Sequence, residues 1–129
     1  TGDELADLVR KHFPLGAVPQ TGESIRVTAY AIAMAESGGN PSACGDSGKS
    51  IGLWQININY HPEYDKCRLF EKDYNAQAAK EISQNGKDWN PWCTWEKTAC
   101  GGEGNEKYKQ YLIEARMHFY PKVTYFNIP

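Results

Sequence analysis

Residues 24–55, SIRVTAYAIAMAESGGNPSACGDSGKSIGLWQ, decide the fold because a helical stripe runs directly into a glycine-rich turn region. The stripe repeats at helical spacing and consists of Ile25, Ala29, Ile32 and Glu36. Two adjacent glycines follow and predict that the helix ends at residue 37. Glu36 is therefore the last member of an otherwise apolar face, at the carboxyl end of the helix.

The rest of the chain predicts three more helices and little strand. They span 1–13, 73–85 and 105–119. Asp73 is the expected cap at the start of its helix, and Gly86 is the expected terminator. Short extended segments are expected around 53–56. We predict a single domain over 1–129, mainly α within the α+β class, with a small β element next to the helix that carries Glu36.

Charge and hydropathy disfavour two classes of partner. The net charge is −2 and the pI about 5.9, which disfavours a nucleic-acid partner because such a partner requires a basic face. The longest apolar run covers Ala29 to Ala35, too short to span a membrane. The composition therefore predicts a globular protein without a membrane or nucleic-acid partner, and we expect a monomer.

The four cysteines predict disulfides rather than a metal site. They are Cys44, Cys67, Cys93 and Cys100. They form no C-x-x-C pair and the three histidines are scattered, so neither a metal nor another cofactor is expected. The favoured pairing joins Cys93 to Cys100 across a short loop and leaves Cys44 with Cys67. Such disulfides imply a secreted protein; the alternative is four reduced core thiols in a cytosolic protein.

Glu36 is the candidate catalytic residue. Burial raises the pKa of a carboxyl group, and the negative end of a helix dipole acts in the same direction. A carboxylic acid that stays protonated near neutral pH can protonate a departing glycosidic oxygen. The alternative is an exposed glutamate at a helix end with no chemical role.

The glycine-rich segment after this helix has the composition of a sugar site. Residues 45–48 allow sharp turns, and 52–56 place an amide beside an aromatic ring. Pyranose rings bind flat apolar faces, while neutral amides bind hydroxyl and N-acetyl groups. The alternative is a structural loop around a core tryptophan.

Several motifs in this order resemble one known superfamily. They are ESGGNP at 36–41, GLWQIN at 52–57, HP at 61–62, LF at 69–70, NAQAA at 75–79 and WNPW at 89–92. The set is similar to the soluble lytic transglycosylases and goose-type lysozymes, including transglycosylase-like domains of phage tails. The resemblance covers roughly 25–95, and its specificity comes from the ordered spacing rather than from any one motif.

The resemblance implies a lysozyme-like fold and cleavage of the β-1,4 bond between N-acetylmuramic acid and N-acetylglucosamine in peptidoglycan. It implies that Glu36 is the general acid, that Gln55 binds substrate beside the scissile bond and that Trp54 lies at the cleft floor. Trp95 falls near the position of a tyrosine that orients the acid in the family. The full set of predicted substrate-binding residues is Ser50, Trp54, Gln55, Asn57, Tyr60 and Trp95.

The fate of the cleaved sugar depends on a second group. A hydrolase that inverts configuration needs a base carboxylate near the acid, whereas a lytic transglycosylase uses the same glutamate to deprotonate the sugar's own 6-hydroxyl. Asp46 is the candidate base, by similarity to goose-type lysozymes; its alternative role is a turn residue. A second aspartate of those enzymes is replaced by Asn57, which cannot act as a base. The prediction leans to hydrolysis.

Two functions from other classes compete with the enzyme. A non-catalytic peptidoglycan- or chitin-binding module would keep the cleft without the chemistry, but binding alone gives no reason for a carboxyl group in an apolar stripe. A small disulfide-bonded inhibitor or toxin is disfavoured because four cysteines in 129 residues are too few to require such a scaffold. Chitin stays open as the substrate, since it shares the N-acetylglucosamine unit.

Overall fold

The computed structural model describes residues 2–95 and 106–120. Four α-helices and a three-stranded sheet form the described part. The helices are α1 Gly2–His12, α2 Ile25–Ser37, α3 Lys72–Ile82 and α4 Leu112–Phe119. The strands are β1 Cys44–Gly45, β2 Ser50–Ile51 and β3 Ile56–Asn57. Short 3-10 turns cover Asp46–Gly48, Arg68–Phe70 and Lys107–Tyr111. The mainly α fold class with a small β element is confirmed.

Helix α2 is the centre of the molecule, and it ends at Ser37 as predicted. The Ser24 side chain caps it by accepting a hydrogen bond from the Val27 N–H at 3.3 Å. Gly38 ends it in the left-handed conformation, with φ 65°. Helices α1 and α4 and the 107–111 turn all pack against α2. Most of its residues are buried, so packing sets the position of Glu36 in its last turn.

Helix α3 differs from its prediction at both ends. It begins at Lys72, and Asp73 lies in its first turn instead of capping it. The Asp73 carboxylate contacts His12 Nε2 at 2.6 Å and Lys11 Nζ at 2.9 Å, and these contacts tie α3 to α1. They also lower the pKa of Asp73. The helix ends at Ile82 rather than 85 because the next residues turn left-handed before Gly86. A Cβ on Gly86 would lie 2.3 Å from the Ile25 side chain, so glycine is required there.

The sheet is a small antiparallel meander beside the end of α2. Cys44 pairs with Ile51 across β1 and β2, and Ser50 pairs with Asn57 across β2 and β3. Extended structure was expected around 53–56. Most of that segment is instead the turn between β2 and β3, and only Ile56 lies in a strand. The turn places Ser50 and Asn57 side by side, facing the end of α2.

The predicted final helix is split in two. A 3-10 turn at Lys107–Tyr111 precedes α4, so regular α-helix begins only at Leu112. The buried residues of 106–120 are Tyr108 and Ala115, which pack toward α2. Within 2–95 and 106–120, no helix is both long and apolar enough to cross a membrane.

The predicted Cys44–Cys67 disulfide is wrong. Both residues are free thiols and both are exposed. Cys44 is held by the β1–β2 pairing, while the N–H of Cys67 is held by the Asp65 carboxylate at 2.9 Å. Each backbone position is thus fixed by its own local hydrogen bonds, without a bond between the sulfurs. The predicted Cys93–Cys100 pairing involves Cys100, which lies outside the described residues.

Candidate active site

A cleft of about 650 Å³ opens between the end of α2, the sheet and the 91–94 segment. Its lining combines two carboxylates with amide, hydroxyl and aromatic groups. The lining residues are Glu36, Asp46, Ser50, Gln55, Ile56, Asn57, Tyr60, His61, Ile82, Pro91, Trp92, Cys93 and Thr94. The cleft therefore brings together both predicted catalytic residues and four of the six predicted substrate-binding residues.

Glu36 lies in this cleft as a half-buried carboxyl group with a raised pKa. Burial raises the pKa of Glu36 to about 7, chiefly because the charged form loses its hydration. The hydrogen bond from Thr94 opposes this shift, the negative charge of Asp46 adds to it, and the positive charge of Lys107 opposes it. Near neutral pH a large fraction of Glu36 is thus protonated and able to donate a proton.

Asp46 sits across the cleft in a fixed polar arrangement. It begins the 3-10 turn after β1 with φ 50°. The Ser50 hydroxyl donates to Asp46 Oδ2 at 2.6 Å, and Asn57 Nδ2 lies 3.4 Å from the Ser50 Oγ. The β2–β3 pairing sets this chain of three side chains. Ser50 and Asn57 therefore orient the Asp46 carboxylate, and any substrate contact they make stays a prediction.

Gln55 lines the cleft but also holds the loop that forms it. Its backbone is left-handed, with φ 49°. Its side-chain nitrogen donates to the carbonyls of Ala43 at 3.1 Å and Gly52 at 2.9 Å. A Cβ on Gly45 would lie 2.7 Å from Gln55 Oε1, so a larger residue there would require the Gln55 side chain to shift. Only the carbonyl oxygen of the amide is available for the predicted contact with a substrate N–H or hydroxyl.

Trp54 is a core residue, so its predicted contact with substrate is wrong. Its side chain has no exposed surface, and its indole N–H donates to the Ala29 carbonyl of α2 at 3.0 Å. Its backbone N–H donates to the Asn75 side chain, and its carbonyl accepts from the indole of Trp92 at 2.8 Å. The residue supports the cleft from beneath because every polar group it offers is already bonded within the core.

The residue that contacts the acid is Thr94, not Trp95. The Thr94 hydroxyl donates to Glu36 Oε2 at 2.8 Å, whereas the Trp95 side chain is buried away from the cleft lining. The prediction that Trp95 binds substrate or replaces an orienting tyrosine is therefore wrong. The turn that bonds the Trp95 N–H to the Trp92 carbonyl directs Thr94 toward the cleft and Trp95 toward the core. Sequence analysis missed Thr94 because 58 positions separate it from Glu36.

The aromatic residues around the site divide between cleft and core. Tyr60 lines the cleft and is 80% exposed, so its ring is available to stack on a sugar. Trp92 lines the cleft with a small exposed edge, whereas Trp89 and Tyr30 are fully buried. In the part of the chain that the structure describes, no group of three or more His, Cys, Asp or Glu side chains is arranged to hold a metal ion.

The fold and the cleft together define a lysozyme-like domain with a protonatable carboxyl group at the end of its central helix. A family model for the lysozyme-like domain matches residues 16–94, and the chain belongs to that family. No curated protein and no solved structure matches the chain significantly. Family membership supports a glycosidase or transglycosylase kind of function directed at peptidoglycan.

Thr94→Val is expected to shift the pKa of Glu36 above about 7. The hydroxyl lowers that pKa because it donates to the ionised carboxylate, so its removal favours the protonated form. The pH above which kcat/KM falls should be higher in Thr94→Val than in wild type. Thr94→Ser should restore the wild-type value. Coinciding pH profiles for all three proteins would show that Thr94 does not act on the acid.

Proposed function

We propose that this protein cleaves the β-1,4 bond between N-acetylmuramic acid and N-acetylglucosamine in peptidoglycan, with Glu36 as the general acid. The proposal rests on a half-buried carboxyl group of raised pKa in the cleft of a lysozyme-like domain. Glu36 donates its proton to the glycosidic oxygen as the bond to the anomeric carbon breaks. The leaving sugar departs with a free 4-hydroxyl group.

The cationic sugar left behind is captured by water. Asp46 accepts a proton from that water as its oxygen bonds to the anomeric carbon, which gives a reducing end. Two observations support Asp46 as the base: it lines the same cleft, and its charge is close enough to raise the pKa of Glu36. In the competing transglycosylation, the ionised Glu36 takes the proton of the sugar's 6-hydroxyl, whose oxygen closes a 1,6-anhydro ring.

The raised pKa of Glu36 favours this enzyme over a non-catalytic binding module. Binding would gain nothing from a carboxyl group that loses hydration on folding. Since peptidoglycan lies outside the cytoplasm, we propose that the protein acts as a secreted enzyme. The free thiols of Cys44 and Cys67 remove part of the earlier support for that location.

Asp46→Asn is expected to lower the rate of cell-wall clearing about 100-fold, since it removes the base while the acid stays in place. Mass spectrometry of the wild-type digest should show reducing glycan ends. Asp7→Asn is the matched control because Asp7 is an exposed residue of α1, away from the cleft. Wild-type products lighter by the mass of one water would identify transglycosylation and remove Asp46 from the mechanism.

A further inference from the structure

A second groove of about 760 Å³ lies outside the cleft described above. It is formed by the end of α1, the loop that follows, the start of α2 and the end of α3. The lining includes Lys80 and Lys87, while Ile82 between them in sequence lines the cleft. The end of α3 and the turn after it therefore lie between the cleft and the groove and line both of them.

The groove is basic in a protein whose net charge is −2. Its cationic lining residues are Arg10, Lys11, Arg26, Lys80 and Lys87. None of the described residues that line it is an aspartate or glutamate. Since the chain as a whole carries more acidic than basic residues, this concentration of positive charge is local and suits an anionic ligand.

Part of this charge is already neutralised, and part is not. Arg10 pairs with Asp7 at 3.0 Å and Lys11 pairs with Asp73 at 2.9 Å. Arg26 instead donates to backbone carbonyls, those of Phe13 at 2.9 Å and Arg10 at 3.3 Å. These bonds hold its guanidinium at the groove without cancelling its charge.

Lys80 and Lys87 supply the remaining positive charge. Among residues 2–95 and 106–120, neither side chain has an ion-pair partner. Lys80 lies close enough to Glu81 to lower the pKa of that carboxyl group, but among the described residues no ion pair holds Lys80 or Lys87, and Arg26 bonds to backbone carbonyls. These three side chains can therefore pair with an anionic ligand at the groove. A ligand that brings carboxylates would complete the pairing.

The apolar part of the lining narrows the class of ligand. Pro14 and Ala17 are exposed at the groove, and Leu15 is 81% exposed. A ligand that carries only charge, such as a polyphosphate, would leave these groups uncovered. A short acidic peptide with small apolar side chains offers both carboxylates and methyl groups.

We propose that this groove binds the acidic peptide stems that project from peptidoglycan strands. The assignment of the peptide to the cell wall rests on the proposed function, whereas the preference for an acidic peptide rests on the groove alone. Lys80, Lys87 and Arg26 pair with the stem carboxylates, and the 14–17 loop covers the alanine methyl groups. The groove would hold the substrate by its peptides while the cleft acts on its glycan.

The test is an NMR titration of the catalytically silenced Glu36→Gln protein with a synthetic N-acetylated stem pentapeptide. Shifts are expected at the groove residues, and Lys80→Gln combined with Lys87→Gln should weaken binding about fivefold, the loss of two exposed ion pairs. Lys66→Gln combined with Lys72→Gln removes the same amount of charge from exposed positions outside the cleft and the groove. This control variant should bind the peptide as tightly as the parent.

Three outcomes would overturn the proposal. The groove double variant binds as tightly as the parent, the shifts map to other residues, or inorganic polyphosphate binds at the groove while the peptide does not. Because the titration requires no turnover, its result is independent of whether the protein cleaves glycan. A protein that binds the peptide but cleaves nothing would refute the proposed function and leave the groove assignment standing.

Discussion

Glu36→Gln is expected to lower kcat/KM for peptidoglycan by roughly 1000-fold, within the range typical for loss of a general acid. Glutamine keeps the size and hydrogen-bonding capacity of the side chain but has no proton to transfer to the glycosidic oxygen. The Thr94 hydroxyl, now 2.8 Å from Glu36 Oε2, can donate to the amide oxygen instead. The geometry of the cleft should therefore survive while the chemistry is lost, as measured by clearing of a cell-wall suspension.

Glu63→Gln is the matched control for this change. Glu63 has a 61% exposed side chain and lies near His61, a lining residue of the cleft. The same chemical substitution there should leave clearing within about twofold of wild type, because surface substitutions rarely perturb a protein. Retention of a tenth or more of wild-type activity by Glu36→Gln would exclude Glu36 as the general acid.

The same substitution is expected to change the pH dependence of stability. The pKa of Glu36 rises from its ordinary value of 4.5 to about 7 on folding, so ionisation opposes folding as pH increases through that window. Wild type should lose stability between about pH 4.5 and 7 relative to Glu36→Gln. Urea unfolding at pH 4 and pH 8 measures this difference. The free energy of unfolding of the variant should rise relative to that of wild type only at pH 8.

Asn75→Ala is expected to have the largest effect on stability, a loss of about 3 kcal/mol or more in the free energy of unfolding. The fully buried Asn75 amide accepts from the Trp54 N–H at 2.9 Å. It also donates to the carbonyls of Ile51 at 2.8 Å and Leu69 at 2.9 Å. Alanine would remove all three bonds, and a buried backbone group left without a partner costs about 1–3 kcal/mol.

This amide is also what closes the cleft loop onto α3. A Cβ on Gly52 would lie 2.4 Å from Asn75 Nδ2 and 2.5 Å from the Leu69 carbonyl, so the loop fits only with glycine there. The matched control is Asn90→Ala, at an exposed position, which should change stability by less than about 0.5 kcal/mol. Equal urea midpoints for the two variants would show that the Asn75 bonds do not stabilise the fold.

Local signals in the sequence were sufficient to predict the central helix and the position of Glu36 at its end. The cap at Ser24, the apolar stripe and the left-handed Gly38 all lie within α2 or at its ends, so spacing alone predicts the helix and the position of Glu36. The glycine-rich loop likewise predicts a turn near Asp46. The start of α3 was harder to predict, because Asp73 bonds to α1 instead of capping its own helix.

The parts of the site that sequence did not predict depend on long-range packing. Thr94 reaches Glu36 only because the fold brings the 91–94 segment against the end of α2. The motif around Trp54 correctly indicates the cleft loop, but a family motif does not separate residues that face the cleft from those beneath it. Burial and hydrogen bonds of the folded chain make that distinction for Trp54 and Trp95.

The role of Glu36 as proton donor is tested by the pKa of its own side chain. Carbon NMR of the glutamate carboxyl groups, with Glu36→Gln used to assign the resonance, gives that pKa without any substrate. A midpoint at about 7 is expected, because burial disfavours the charged carboxylate. A midpoint near the ordinary value of 4.5 would mean that Glu36 is ionised at neutral pH and would contradict its role as the proton donor.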